Sequence, residues 1–96
     1  MKPSEYRSKT RIYVDILESV RREGGKARFT KILYSANLSY HRLQRYLAEL
    51  EEKGLLIKLT DAKSNVTWYE LTEKAYKLLA EFQKIKRLLD AFGLSI

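Results

Sequence analysis

The stretch from Ala36 to Leu50, ANLSYHRLQRYLAEL, limits the possible folds of this chain more than any other. At about 100° per residue, Leu43, Leu47 and Leu50 share one helical face at i, i+4 and i+7. His41, Gln44 and Arg45 gather on the opposite face, with Arg42 on the flank. One side must pack and the other must stay wet, so the chain has to build a core behind the leucines and leave a cationic surface in front of them. Asn37 and Ser39 are residue types that bond locally to backbone, which predicts a turn at Asn37–Leu38 and a helix whose first amides are capped by the Ser39 hydroxyl. Leu38 then staples the start of that helix to the core.

The flanking segments supply the core. From about residue 10 to 23, Ile12, Tyr13, Ile16, Leu17 and Val20 keep helical spacing, and Gly24–Gly25 supplies a stop. Ala27, Phe29, Ile32, Leu33 and Ala36 repeat the spacing over a shorter second helix, with Tyr34 and Tyr46 expected in the core. Helix, turn at Asn37 and helix make a helix-turn-helix. The third helix runs to Lys53 and stops at Gly54, after which LLIKLT and VTWYEL read as strands around the polar turn DAKSN, 61–65. This hairpin carries Lys63 at its tip, and Trp68 is expected to pack it onto the helices. The fold class is therefore mostly α with a small β-hairpin, in the order of a winged helix.

Thr72 before Glu73 opens a last helix. In it Leu78, Phe82, Ile85, Leu89 and Phe92 fall at spacings of 4, 3, 4 and 3, the pattern of a coiled-coil seam, while Leu79 and Leu88 widen the apolar face. About twenty residues at 1.5 Å each make a rod of roughly 30 Å, longer than one small body needs. One side is expected to pack on its own domain and the other on a second copy of the chain. The organisation read from sequence is a flexible basic arm over 1–9, a winged-helix domain over 10–72 and a dimerisation helix over 73–96.

Charge narrows the partner. The net charge is +7, and residues 1–47 hold 11 Lys and Arg against 4 Asp and Glu, whereas 48–96 hold 8 against 8. Between Gly24 and Ala48 there is no acid, yet Lys26, Arg28, Lys31, Arg42 and Arg45 are there. A field of one sign over one face attracts a polyanion. The absence of cysteine and the single histidine remove disulfides, thiolate metal sites and multi-histidine zinc sites. No apolar run approaches the ~20 residues of a membrane span, and the first ten residues lack the apolar core of a signal peptide. The expectation is a cytoplasmic, nucleoid-associated protein with no cofactor and no small-molecule ligand. Catalysis finds no support: Ser39 and His41, at i and i+2, do not face one another on a helix, and no glycine-rich nucleophile or phosphate motif occurs.

The segments TKILYSANLSY, LQRYLAELEEKGLL and WYELTEKA, with the closing heptad helix, resemble the small archaeal winged-helix DNA-binding proteins. That group comprises chromatin-associated proteins and predicted transcriptional regulators that dimerise through an antiparallel coiled coil. The likeness covers nearly everything from Ile12 to Phe92, and ILYSANLSY is its most specific part. The resemblance implies a homodimer that places the helix beginning at Ser39 in the major groove of double-stranded DNA and the 61–65 wing along the backbone. Carried over by position, it puts DNA contacts on Ser39, Tyr40, His41, Arg42, Gln44 and Arg45.

Residue chemistry fits that implication without fixing it. Arg42 and Arg45 can read guanine edges or hold phosphates, Gln44 can pair with adenine, and Arg28, Lys31 and Lys63 are candidates for backbone contacts. A second class stays open: a winged helix whose basic face meets an acidic protein. RNA is less favoured, because no base-stacking sheet is evident.

Overall fold

The protein is described here by a computed structural model over residues 7–95. Residues 1–6 and 96 lie outside that description, including Lys2 and most of the expected basic arm. The elements run α1 (Lys9–Arg22), β1 (Lys26–Ala27), α2 (Phe29–Ala36), α3 (Tyr40–Glu52), β2 (Leu56–Thr60), β3 (Thr67–Leu71) and α4 (Glu73–Ala91).

Three of the four helices among the described residues begin where the chain offers a side-chain cap, and α2, starting after Arg28, has none. Ser8 accepts from the Arg11 amide at 3.0 Å, Ser39 accepts from the Arg42 amide at 3.3 Å, and Thr72 accepts from the Ala75 amide at 3.2 Å. Between α2 and α3, Asn37 adopts the left-handed conformation (φ 56°, ψ 55°) that asparagine tolerates better than most residues. Thr72 also donates to the Gly54 carbonyl at 2.7 Å, so the end of α3 and the start of α4 are fastened together. Near the N-terminus, Arg7 bonds Asp15 at 2.7 Å and the Asn37 carbonyl at 3.3 Å. Arg7, Ser8 and Lys9, counted with the basic arm in the sequence reading, thus belong to the start of α1 and its contact with the turn.

The core lies between α1, α2, α3 and one face of the sheet. Ile16, Leu17, Ile32, Leu43 and Leu50 expose no surface, and Leu47 almost none. Burying each such side chain contributes roughly 1.5–3 kcal/mol. Leu38, Leu33, Phe29 and Tyr13 pack against this cluster while half-buried.

Three features depart from the sequence reading. The hairpin is part of a three-stranded antiparallel sheet ordered β1-β3-β2, in which Lys26 pairs with Glu70 and Ala27 with Tyr69. Ala27, expected in the second helix, is the buried residue of that short strand, and α2 starts only at Phe29. Tyr34, expected in the core, is 81% exposed on the outer side of α2, because Ile32 and Ala36 already fill the inner side. Trp68 does not wedge the hairpin onto the helices. It is half-buried, with the Lys26 ammonium 5.0 Å and the Arg28 guanidinium 5.8 Å from its ring centre.

Within α4, Ala75 and Leu79 are buried and Phe82 packs at the core's edge, while Gln83 donates to Glu18 of α1 at 2.9 Å. Of the expected seam, Leu78, Ile85 and Phe92 are exposed, Phe82 and Leu89 half-buried, and the neighbouring Leu88 and Leu94 are also exposed. The helix therefore has one side on its own domain and an apolar side without a partner among the described residues.

Candidate nucleic-acid interface

The outward face of α3 carries the candidate residues in the order the sequence places them. Leu43, Tyr46, Leu47 and Leu50 turn into the core, and Ser39, Tyr40, His41, Arg42, Gln44 and Arg45 are all exposed. The Tyr40 ring centre lies 4.9 Å from that of Phe29 and 5.9 Å from that of His41, the latter edge-on. Gln44 reaches the Tyr40 hydroxyl at 3.5 Å.

Arg42 and Arg45 make no ion pair among the described residues. Both lean on Tyr46 instead, at 5.8 and 5.1 Å from its ring centre, and Arg45 also reaches the Tyr46 hydroxyl at 3.5 Å. The hydrogen bonds from Arg42 and then Arg45 favour the phenolate and draw the Tyr46 pKa below its ordinary value. Tyr46 was expected simply as core, and its ring is buried. Its second role, as a platform for two guanidiniums, follows from its positions four residues after Arg42 and one after Arg45, a spacing that the apolar pattern alone does not flag.

The acid one turn from Arg45 is engaged elsewhere. Glu49, one turn beyond Arg45, receives the Tyr13 hydroxyl and the Lys9 ammonium, the latter at 3.1 Å, and its carboxyl is held below the usual range chiefly by the Tyr13 bond. Asp15 is taken by Arg7 and Arg11. The exposed surface of α3 around Arg42 and Arg45 is left positive.

The remaining candidates stand around the wing. Arg28, Phe29 and Thr30 at the start of α2 face Ser64, Asn65, Val66 and Thr67 across a groove of about 480 Å³. The wing turn is closed by its own bonds: the Asp61 amide donates to the Val66 carbonyl and the Asn65 amide to the Asp61 carbonyl, both at 2.8 Å. The Lys63 amide donates to the Asp61 carboxylate at 2.9 Å and holds its pKa down. Lys63 is exposed at this tip and Lys31 on α2. Arg28 thus shares the wing groove, Lys63 marks the wing's end, and the α3 residues form a face that meets the groove where Tyr40 packs on Phe29. No group of acidic or histidine side chains among the described residues could hold a metal, and no helix there is long and apolar enough to cross a membrane.

Comparison with known proteins places this geometry. The sequence matches the winged helix-turn-helix family over residues 6–90. Among solved structures it is similar to Sso10a-2, a DNA-binding protein from Sulfolobus solfataricus, at 31% identity and a TM-score of 0.72, covering 91% of this chain and 90% of that one. Diamide-treated YodB from B. subtilis matches at 25% identity and a TM-score of 0.69 over 96% and 95% of the two chains. The organohalide-sensing transcriptional regulator RdhR-CbdbA1625, in its 2,4-dichlorophenol-bound form, shares the fold at 22% identity and a TM-score of 0.75, over 91% of this chain and 51% of that chain. This chain spans about half the length of that regulator. No curated protein matches it.

Proposed function

This chain belongs to the winged helix-turn-helix family, and from that premise we propose that it binds double-stranded DNA as a homodimer and acts as a nucleoid-associated regulator or chromatin protein. The observation that carries the reading is the exposed face of α3, where two guanidiniums are oriented by a tyrosine ring and paired with no carboxylate among the described residues. In the proposed complex α3 enters the major groove, with Ser39, Tyr40, His41, Arg42, Gln44 and Arg45 toward bases and adjoining phosphates. The wing at 61–65 lies along the backbone, with Lys63 at its tip and Arg28 and Lys31 on flanking phosphates. The resemblance to a DNA-binding protein of nearly the same length supports this arrangement. The dimer is proposed to form through the open side of α4, where Leu78, Ile85 and Phe92 are exposed and continue the line of Phe82 and Leu89.

The test is a duplex titration across salt concentrations. Contact with roughly six phosphates per dimer gives a log-log slope of about −5, at ~0.9 per phosphate. Absence of duplex binding at low salt refutes the reading and favours the basic face as a docking site for an acidic protein. Selection of bound sequences from a random pool then separates the two DNA roles: an enriched palindrome marks a regulator, a flat profile an architectural protein.

A further inference from the structure

Strand β2 is an edge strand, and its register shows which of its backbone groups are free. In an antiparallel pair, hydrogen-bonded and non-hydrogen-bonded residue pairs alternate. The Asp61 amide donates to the Val66 carbonyl, so the 61–66 pair is hydrogen-bonded, and counting back along the register makes Leu59–Trp68 and Ile57–Glu70 hydrogen-bonded as well. The other edge of β3 agrees: the Leu71 amide donates to the Gly25 carbonyl, away from β2. The amides and carbonyls of Lys58 and Thr60 therefore point away from β3, along an edge beyond which no strand lies among the described residues.

The side chains on this edge have a definite chemistry. Ile57 and Leu59 are 47% and 40% exposed on the sheet face that also bears Trp68. Lys58 and Thr60 project from the opposite face, both exposed, and no carboxylate among the described residues lies within ion-pair reach of Lys58. Natural edge strands are guarded by charges, especially lysine, by proline or by bulges, and Lys58 is such a guard here, so pairing is open only to a segment that brings a carboxylate to it, while Ile57 and Leu59 stand open on the other face. We propose that the open edge of β2 receives an extended segment of a partner protein in which apolar and acidic residues alternate, adding a fourth strand to the sheet.

The pattern follows from the pleat. A strand laid along β2 sets every second side chain beside Ile57 and Leu59, where an apolar group extends outward the patch that Trp68 begins on β3. The intervening side chains fall on the Lys58 side, where a carboxylate pairs with the ammonium and a second lysine is repelled. A second copy of this chain fits less well. The antiparallel register that pairs all five residues of β2 with another β2 is centred on Lys58 and sets that lysine against itself.

The proposal is independent of DNA binding, and its test needs no DNA. A blocked seven-residue peptide alternating valine and glutamate is titrated to millimolar concentration while amide exchange is followed by NMR. The expected result is saturable binding with exchange at Lys58 and Thr60 slowed at least about tenfold. Lys58→Pro removes an outward amide without touching a bond to β3, so it abolishes peptide binding while duplex affinity stays unchanged. Lys58→Glu keeps the amide and transfers the preference to the valine–lysine peptide. Unchanged exchange in the parent protein overturns the proposal, as does equal binding by the proline variant. Protection of these two amides that rises with protein concentration alone also overturns it, since the occupant is then a second copy.

Discussion

Replacing Arg42 and Arg45 together by alanine separates the binding face from the fold behind it. Both side chains are exposed and, among the described residues, their partner is the Tyr46 ring. Cation–π contacts at exposed sites contribute about 0.5–1 kcal/mol each, so the double variant loses at most about 2 kcal/mol. Alanine's higher helix propensity offsets part of that loss. Thermal unfolding should fall by no more than about 8–16 °C, at about 4–8 °C per kcal/mol for a domain of this size. DNA binding should respond far more strongly. Two arginines on each of two recognition helices make up to four phosphate contacts, and at ~0.9 per contact the salt slope should relax from about −5 to between about −1 and −2. If the arginines instead grip guanine edges, the slope survives, affinity falls by about 1–3 kcal/mol per contact and sequence preference relaxes. The assay is fluorescence anisotropy of a labelled duplex at several salt concentrations, with circular dichroism melting of the same samples. A variant with parental affinity and parental slope refutes the assignment of this face.

Ile85→Lys places a charge on the exposed side of α4 and should convert a dimer to monomers by sedimentation without unfolding the winged helix; a monomeric parent protein removes the premise. Ser39→Ala deletes the cap of α3 and should cost about 0.5–2 kcal/mol, read as a lower melting temperature; an unchanged melting temperature shows that the amide is satisfied without the hydroxyl. Acid should weaken the fold through Glu18 and Glu49. Glu18 is held below the usual carboxylate range first by Arg21, and Glu49 first by the Tyr13 hydroxyl and then by Lys9. Their folded pKa values lie below the unfolded value of about 4.3, so their contribution is complete above that pH and is lost as pH falls through the folded values. Melting followed from pH 7 to pH 3 should show a decline that is shallower in the Glu18→Gln variant, and identical profiles contradict the pairing.

What could be read in the sequence was what local spacing dictates. The i, i+4, i+7 leucines, the turn at Asn37 and the Ser39 and Thr72 caps are decided within a few residues of chain, and all stand where the spacing puts them. Strand β1 is two residues long and exists because β3 arrives some forty positions later to pair with it, so no local period announces it. Ala27 suits either a helix or a strand interior, and the choice is tertiary. Tyr34 and Trp68 misled for a related reason: amphipathic aromatics count as apolar in any pattern, yet one stands in solvent on α2 and the other lies beneath two cations on the sheet. In α4 the heptad stripe was visible, but its division was not, because which leucine faces home depends on where α1 lies. Leu79, off the stripe, is the one that is buried.

The positive face around Arg42 and Arg45 persists because Glu49, the acid one turn away on α3, is occupied by Tyr13 and Lys9 of α1. On α1 itself Asp15 is shared by Arg7 and Arg11, so it too is turned from the arginines of α3. Had Glu49 been left to its own helix, it would sit four residues after Arg45, at the spacing that favours an ion pair. Tyr46 supplies what a carboxylate would have supplied in orientation without cancelling the charge. Each arginine carries about 2 kcal/mol of rotamer entropy, and a ring that restrains the side chain beforehand lowers the loss on binding. The arrangement therefore makes two demands that a merely solvated basic surface does not: removing the ring while keeping the charge should weaken duplex binding, and freeing Glu49 by Tyr13→Phe with Lys9→Ala should weaken it too, with Arg42 and Arg45 untouched. Parental affinity in both variants means that the cluster is packing alone and the arginines act as independent surface charges.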